Sequence, residues 1–133
     1  MAGDGRVQAH WLKAEERLGV ARELLYADHA EDAISRAYYA AFHAATAALL
    51  ALGFEAKTHG GLRALFGLHV VQAGLAGRDA GRALEDLYDR RRRSDYEVTT
   101  YFTTEDAEDA VAAAATLLAA CQQIIVDRAG AQP

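Results

Sequence analysis

The sequence predicts an all-α fold, a bundle of about five helices. Three observations lead there. Apolar residues return at three- and four-residue spacing through most of the chain. Residues that start and stop helices separate those stretches. No segment with the two-residue period of a strand extends beyond residues 97–103. At 133 residues, 52% of them apolar and 25% charged, the chain fits one domain around one core.

Residues 1–8 hold Gly3, Asp4 and Gly5 and are expected to fray, as are 130–133. Trp11, Ala14, Leu18, Ala21 and Leu25 then mark an amphipathic helix over 8–28, with Lys13, Glu16, Arg17 and Glu23 on its other side. Asp28 is a suitable N-cap for the next helix, 30–52, which Gly53 ends. This second helix is apolar almost all round and rich in alanine, so it belongs in the middle of the bundle with other helices close against it. One polar stripe interrupts it: Arg36, Tyr39 and His43, at i, i+3 and i+7, with Ser35 beside them. Such a stripe is either satisfied at the edge of the core or lines a cleft or subunit interface. The segment has the length of a membrane span, but Arg36 and His43 would sit inside the bilayer and alanine supplies little hydrophobic drive.

A third helix runs over 58–73 from a cap at Thr58, with Leu62, Leu65, Phe66, His69 and Ala73 on one face and Gly74 as its stop. Gly60 and Gly61 are costly in a first turn and imply either a close approach or a loose start. His59 stands where free backbone N–H groups favour an anion. The fourth helix, 77–96, aligns Ala80, Leu84, Leu87 and Tyr88, and the same line continues to Arg91 and Asp95. Arg90, Arg92 and Arg93 fan outward, and Asp86–Arg90 and Asp89–Arg93 have the spacing of solvated ion pairs. Residues 97–103, EVTTYFT, form an extended connector. Thr103 and Asp106 then make a capping box for the last helix, 104–129, whose core line is Ala107, Val111, Ala114, Leu118, Cys121 and Ile125.

Several classes of function drop out. One cysteine cannot make a disulfide framework or a cysteine-rich zinc site, and the five histidines lack ligand spacing, so neither metal nor cofactor is expected. No phosphate-binding loop or nucleophile elbow is present. A net charge of −5 argues against coating nucleic acid by bulk electrostatics and leaves room for a local patch. With no apolar run near Met1 that reads as a signal, the chain is expected to be soluble and cytoplasmic.

The stretches AISRAYYAAFHAATAALL (33–50), KTHGGLRALFGLHVV (57–71) and LYDRRRRSDYEV (87–98), ahead of an acid-started last helix, resemble the HEPN superfamily. The likeness is strongest to its small stand-alone bacterial and archaeal branch with a Ser-Arg-Ala-Tyr-Tyr pattern, and covers about residues 10–128. It implies an antiparallel helical bundle that forms a homodimer, often encoded beside a minimal nucleotidyltransferase as a toxin–antitoxin pair. Many such proteins are metal-independent ribonucleases in which an Arg and a His, four to six residues apart, meet their dimer mates in a cleft. That motif falls near the end of the helix before the last. Here the corresponding region holds Arg91, Asp95 and Tyr96 and no His, and an ionised Asp95 is a poor proton donor at pH 7. Arg22–His29, Arg36–His43 and Arg63–His69 match the spacing loosely, and of these only Arg36–His43 lies on a face near the implied cleft.

The expected site is therefore Arg36, Tyr39, His43, His59, Arg91, Asp95 and Tyr96, with Arg36, His43, His59 and Arg91 as the candidates for catalysis. Two functions fit it. One is a nucleotide- or RNA-binding protein, with ribonuclease toxin chemistry open. The other is a non-catalytic module in which the same residues contact a second copy or a nucleotidyltransferase.

Overall fold

The computed structural model describes residues 5–99 and 101–131. Helices α1 (Gly5–Tyr26), α2 (Ala30–Ala51), α3 (His59–Phe66), α4 (Arg78–Tyr96) and α5 (Thr104–Ala131) follow one another, and α3 continues into a π-helical turn, Gly67–Val71. No strand occurs among the described residues. The first helix starts at Gly5, so residues 5–8 are helical rather than frayed, and α5 carries on past 129 to Ala131. The expected fraying of residues 1–4 and of 132–133 lies outside the described residues.

The second helix is the hub, packing most extensively on α1 and α5 and then on α4. Every alanine from Ala33 to Ala48 is fully buried. Small side chains let the neighbouring helices close in, while Ile34, Tyr38, Leu49, Leu62, Phe66, Leu84, Leu87 and Leu117 fill the core between them. Sequence neighbours run antiparallel. Arg6 at the start of α1 meets Glu55 beyond the end of α2 (3.2 Å), and Arg90 near the end of α4 reaches the Asp106 carbonyl at the start of α5 (2.9 Å). Because Thr104 donates to Asp28 (3.0 Å), α5 starts where α2 starts and runs the same way. Thr104–Gly130 is long and apolar enough to cross a membrane by composition, but Ala107, Val111, Leu117, Leu118, Cys121 and Ile124 are buried in the bundle. Burial pushes the Cys121 thiol up to about 12, so it stays neutral, a small core hydrophobe as its register predicts.

Helix ends repeat one device. Gly53 (φ 93°) and Gly74 (φ 79°) are left-handed, with paired backbone hydrogen bonds Phe54→Leu49 and Gly53→Leu50, and Leu75→Val70 and Gly74→Val71. Asp28 does the same job, which corrects its expected role. At φ 70° it ends α1, with His29→Leu24 and Asp28→Leu25 closing the motif, and the N-cap of α2 is His29 without a side-chain cap. Aspartate is among the few residues other than glycine that enter the left-handed region, and its carboxylate accepts from the Thr104 hydroxyl at the start of α5.

The caps at Thr58 and Thr103 form as expected. Thr58 Oγ1 accepts from Gly61 N–H (2.8 Å), Thr103 Oγ1 from Asp106 N–H (3.1 Å), and the Asp106 carboxylate from Thr103 N–H (2.9 Å). The Thr103 hydrogen bonds hold the Asp106 carboxyl below its usual range. Beyond Phe66 the third helix departs from the expected register. Gln72 N–H bonds to Gly67 O (2.9 Å), an i→i+5 closure, and the buried line becomes Leu62, Phe66 and Val70, leaving Ala73 exposed. His69 instead stacks on Phe54, ring centroids 3.8 Å apart. Arg90 is drawn to Asp106 and Arg93 lies over Phe102 (5.7 Å), so neither closes the pair expected with Asp86 or Asp89.

Candidate functional site

The α2 stripe, the start of α3 and the last two turns of α4 meet on one side of the bundle. Adjacent tyrosines on α2 divide the work. Tyr38 points into the core at 1% exposure, while Tyr39, about 100° further round the helix, is half-buried at the surface. The Tyr38 hydroxyl lies 2.5 Å from Nδ1 of His59, which stacks on Phe42 (4.4 Å). Burial raises the Tyr38 phenol to about 12, so it keeps its proton. His59 is the only hydrogen-bond partner of that hydroxyl among the described residues, so Tyr38 donates to Nδ1 and the imidazole proton is assigned to Nε2. Burial first, then the charges of Arg91 and Arg63, lowers the His59 pKa. The ring is neutral at pH 7 and presents a donor at Nε2.

Arg91 does follow the leucine line, and it is held from several sides. Its guanidinium pairs with Asp95 (3.3 Å) and lies over the rings of Tyr39 (4.8 Å) and Tyr38 (5.5 Å), while its buried Nε has no hydrogen-bond partner among the described residues. Arg63 makes a second such contact over Tyr88 (3.7 Å) and is tied to Glu85 (2.7 Å). Tyr88 in turn meets the Tyr38 ring edge-on at 6.0 Å. Between them opens a cleft of about 550 Å³ lined by Tyr39, His59, Tyr88, Arg91, Arg92 and Tyr96. Among the described residues no carboxylate lines it. Arg92 is thus on the cleft rather than facing away from it, which corrects its expected place.

Arg36 and His43 fall in a neighbouring depression of about 620 Å³, with Arg17, Leu24, Asp32 and Ser35. Tyr39 lines both. His43 is turned toward α1, its Nδ1 3.0 Å from Nδ1 of His10, and the two rings stack. One ring must donate and the other accept, so both protonated is excluded. Burial, then the charges of His10, Lys13 and Arg17, lowers His43 to about 4. The structure therefore gathers Tyr39, His59, Arg91 and Tyr96 in one cleft, places Asp95 behind Arg91, and sets Arg36 and His43 alongside. Tyr38, Arg63, Tyr88 and Arg92 complete the surroundings and were not expected there. Among the described residues no group of three metal-ligating side chains gathers.

A helical bundle whose second helix carries Ser-Arg-Ala-Tyr-Tyr, with an arginine-bearing fourth helix closing a cleft over it, defines the class. The HEPN domain family matches residues 7–124, and the chain belongs to it. Similar proteins include the "putative toxin MJ0605" of Methanocaldococcus jannaschii, 39% identical over 74% of this chain and 72% of that one. A UPF0332 protein of Thermotoga maritima is 29% identical over 92% of this chain and 93% of its own. Another from Gloeobacter violaceus is 38% identical over 75% and 80%.

Proposed function

We propose that the chain is a toxin-type HEPN protein that binds a nucleotide or single-stranded RNA in the cleft of Tyr39, His59, Tyr88, Arg91, Arg92 and Tyr96, with a nucleotidyltransferase as its protein partner. One observation carries the reading: a chain of net charge −5 keeps two arginines, a neutral histidine donor and three tyrosines on a cleft that no carboxylate lines among the described residues. Guanidinium groups recognise phosphate, and tyrosine faces accept bases by stacking. The name of the Methanocaldococcus jannaschii relative, a toxin, supports the toxin role.

Metal-free RNA cleavage needs a base beside the 2′-hydroxyl. His59, with its Nδ1 lone pair taken by Tyr38, offers a donor to a phosphate oxygen instead. The proposal is therefore binding. A specific observation also favours the partner-module reading: Tyr96, on the rim of the cleft, is 80% exposed, and Val98 and Tyr101 just beyond it are 91% and 89% exposed.

The test is titration of mononucleotides and short single-stranded RNA against wild type, Arg91→Met and Arg22→Met, an exposed arginine on α1 away from the cleft. Arg91→Met should cost about 1.5–3 kcal/mol of binding, the range for a charge-assisted hydrogen bond, and Arg22→Met far less. No binding by wild type, or equal losses in both variants, would leave the partner-module reading in its place.

A further inference from the structure

Within the reading above, and resting on it, we propose that the depression next to the cleft is a second phosphate subsite, so that a single-stranded RNA crosses Tyr39 from Arg92 to Arg36. The two hollows share the Tyr39 ring as a common wall. Each carries an arginine with no ion pair or hydrogen bond among the described residues, Arg92 in the cleft and Arg36 in its neighbour. Other arginines nearby are engaged: Arg91 with Asp95, Arg63 with Glu85, Arg90 with Asp106, and Arg17 with Glu16. An exposed guanidinium without a partner, set in a concave surface, is available to a ligand anion.

Two hollows of about 550 and 620 Å³ on either side of one shared ring fit a chain molecule better than a single nucleotide. Ser35 and the neutral His43 add hydrogen-bonding groups to the same wall. Asp32 stands there too and opposes an anion, which makes Arg36 the decisive charge. The Arg91 guanidinium lies over one face of the Tyr39 ring, so a base between the two phosphates would meet the other face or the edge of that ring.

The experiment compares a mononucleotide, a dinucleotide and an octanucleotide of RNA, each titrated over a range of salt, with wild type, Arg36→Met and Arg22→Met. Arg36 is exposed, so its replacement leaves the core intact, and thermal melts verify this. Wild type should bind the octanucleotide about tenfold or more tightly than the mononucleotide. Arg36→Met should keep mononucleotide affinity, lose that gain, and lower the salt slope by about 0.7, one phosphate contact on a single strand. Mononucleotide binding without any gain for longer RNA overturns the second subsite and leaves the cleft standing. Equal loss for all lengths in Arg36→Met, or a changed sedimentation coefficient without a length effect, also overturns it, the latter assigning the groove to protein contact. Failure of every RNA to bind wild type removes the cleft reading, and the subsite with it.

Discussion

His43 shows how a single side chain couples the site to stability. Its pKa is about 4 in the fold against an ordinary 6.5, with burial as the main cause and the charges of His10, Lys13 and Arg17 adding to it. Between these values the unfolded chain takes up a proton that the folded chain refuses, so stability present above pH 6.5 is lost as the pH falls toward 4. Allowing for partial exposure to water, the loss is on the order of 1 kcal/mol. His43→Gln should flatten that part of a melting-temperature profile. An unaltered profile in His43→Gln would refute the assignment. At this scale the sequence disclosed only half of the site. Arg91 was legible because its register continues a line of leucines, and the Arg36–Tyr39–His43 stripe because it breaks an apolar helix. Tyr38 was hidden by its register, which is that of the core. The available clue was chemical: a buried tyrosine must place its hydroxyl on a partner, and which partner depended on where the loop before α3 carries His59.

The two glycines that open α3 separate a requirement from a tolerance. A Cβ on Gly61 would stand 2.9 Å from Thr58 Oγ1, the atom that caps the helix, whereas a Cβ on Gly60 meets nothing within 4 Å. Gly60→Ala should stabilise the protein by about 0.5–1 kcal/mol, since glycine is the poorer helix former. Gly61→Ala should give up that gain and cost about 1 kcal/mol by displacing the cap. Urea unfolding of both variants checks this, and a destabilised Gly60→Ala would mean that the position serves something other than the helix. Helices as elements were well specified by the sequence: periodicity placed all five, Gly53 ends α2 and the Thr103–Asp106 box starts α5, while the cap expected at Asp28 serves the end of α1 and α5 runs on past 129. The π turn was not, because it depends on packing between elements: Gly81 on α4 lies so close to Val71 that a Cβ there would be 3.1 Å from Val71 Cγ2. Periodicity within 58–73 carries no record of that contact, so the expected line ran to His69 and Ala73 where the structure buries Val70.

For the whole molecule, the arrangement of charge and exposed apolar surface bears on assembly. Tyr96 lines the cleft, and Val98 and Tyr101, close after it in the chain, are likewise large and exposed; exposed apolar side chains of this kind mark contact sites where they adjoin. We propose that a second copy of the chain covers them. A two-fold contact is self-complementary, so a patch beside the cleft would bring two clefts, and two sets of Arg91 and Arg92, to one seam. A stable interface takes about 800 Å² from each partner, a modest share of the 7619 Å² of this chain's surface. Two cleft-side arginine clusters brought together repel, and an RNA phosphate between them would relieve that, so assembly and ligand should reinforce each other. Sedimentation at micromolar concentration should give twice the 14.3 kDa mass of the chain. Val98→Lys with Tyr101→Lys should shift it to the monomer without lowering the melting point of the monomer itself, since both side chains lie outside the core. Added octanucleotide should move wild type, but not the double variant, further toward dimer. A wild type that sediments as a clean monomer with and without RNA would reject self-association and leave the patch to a different protein.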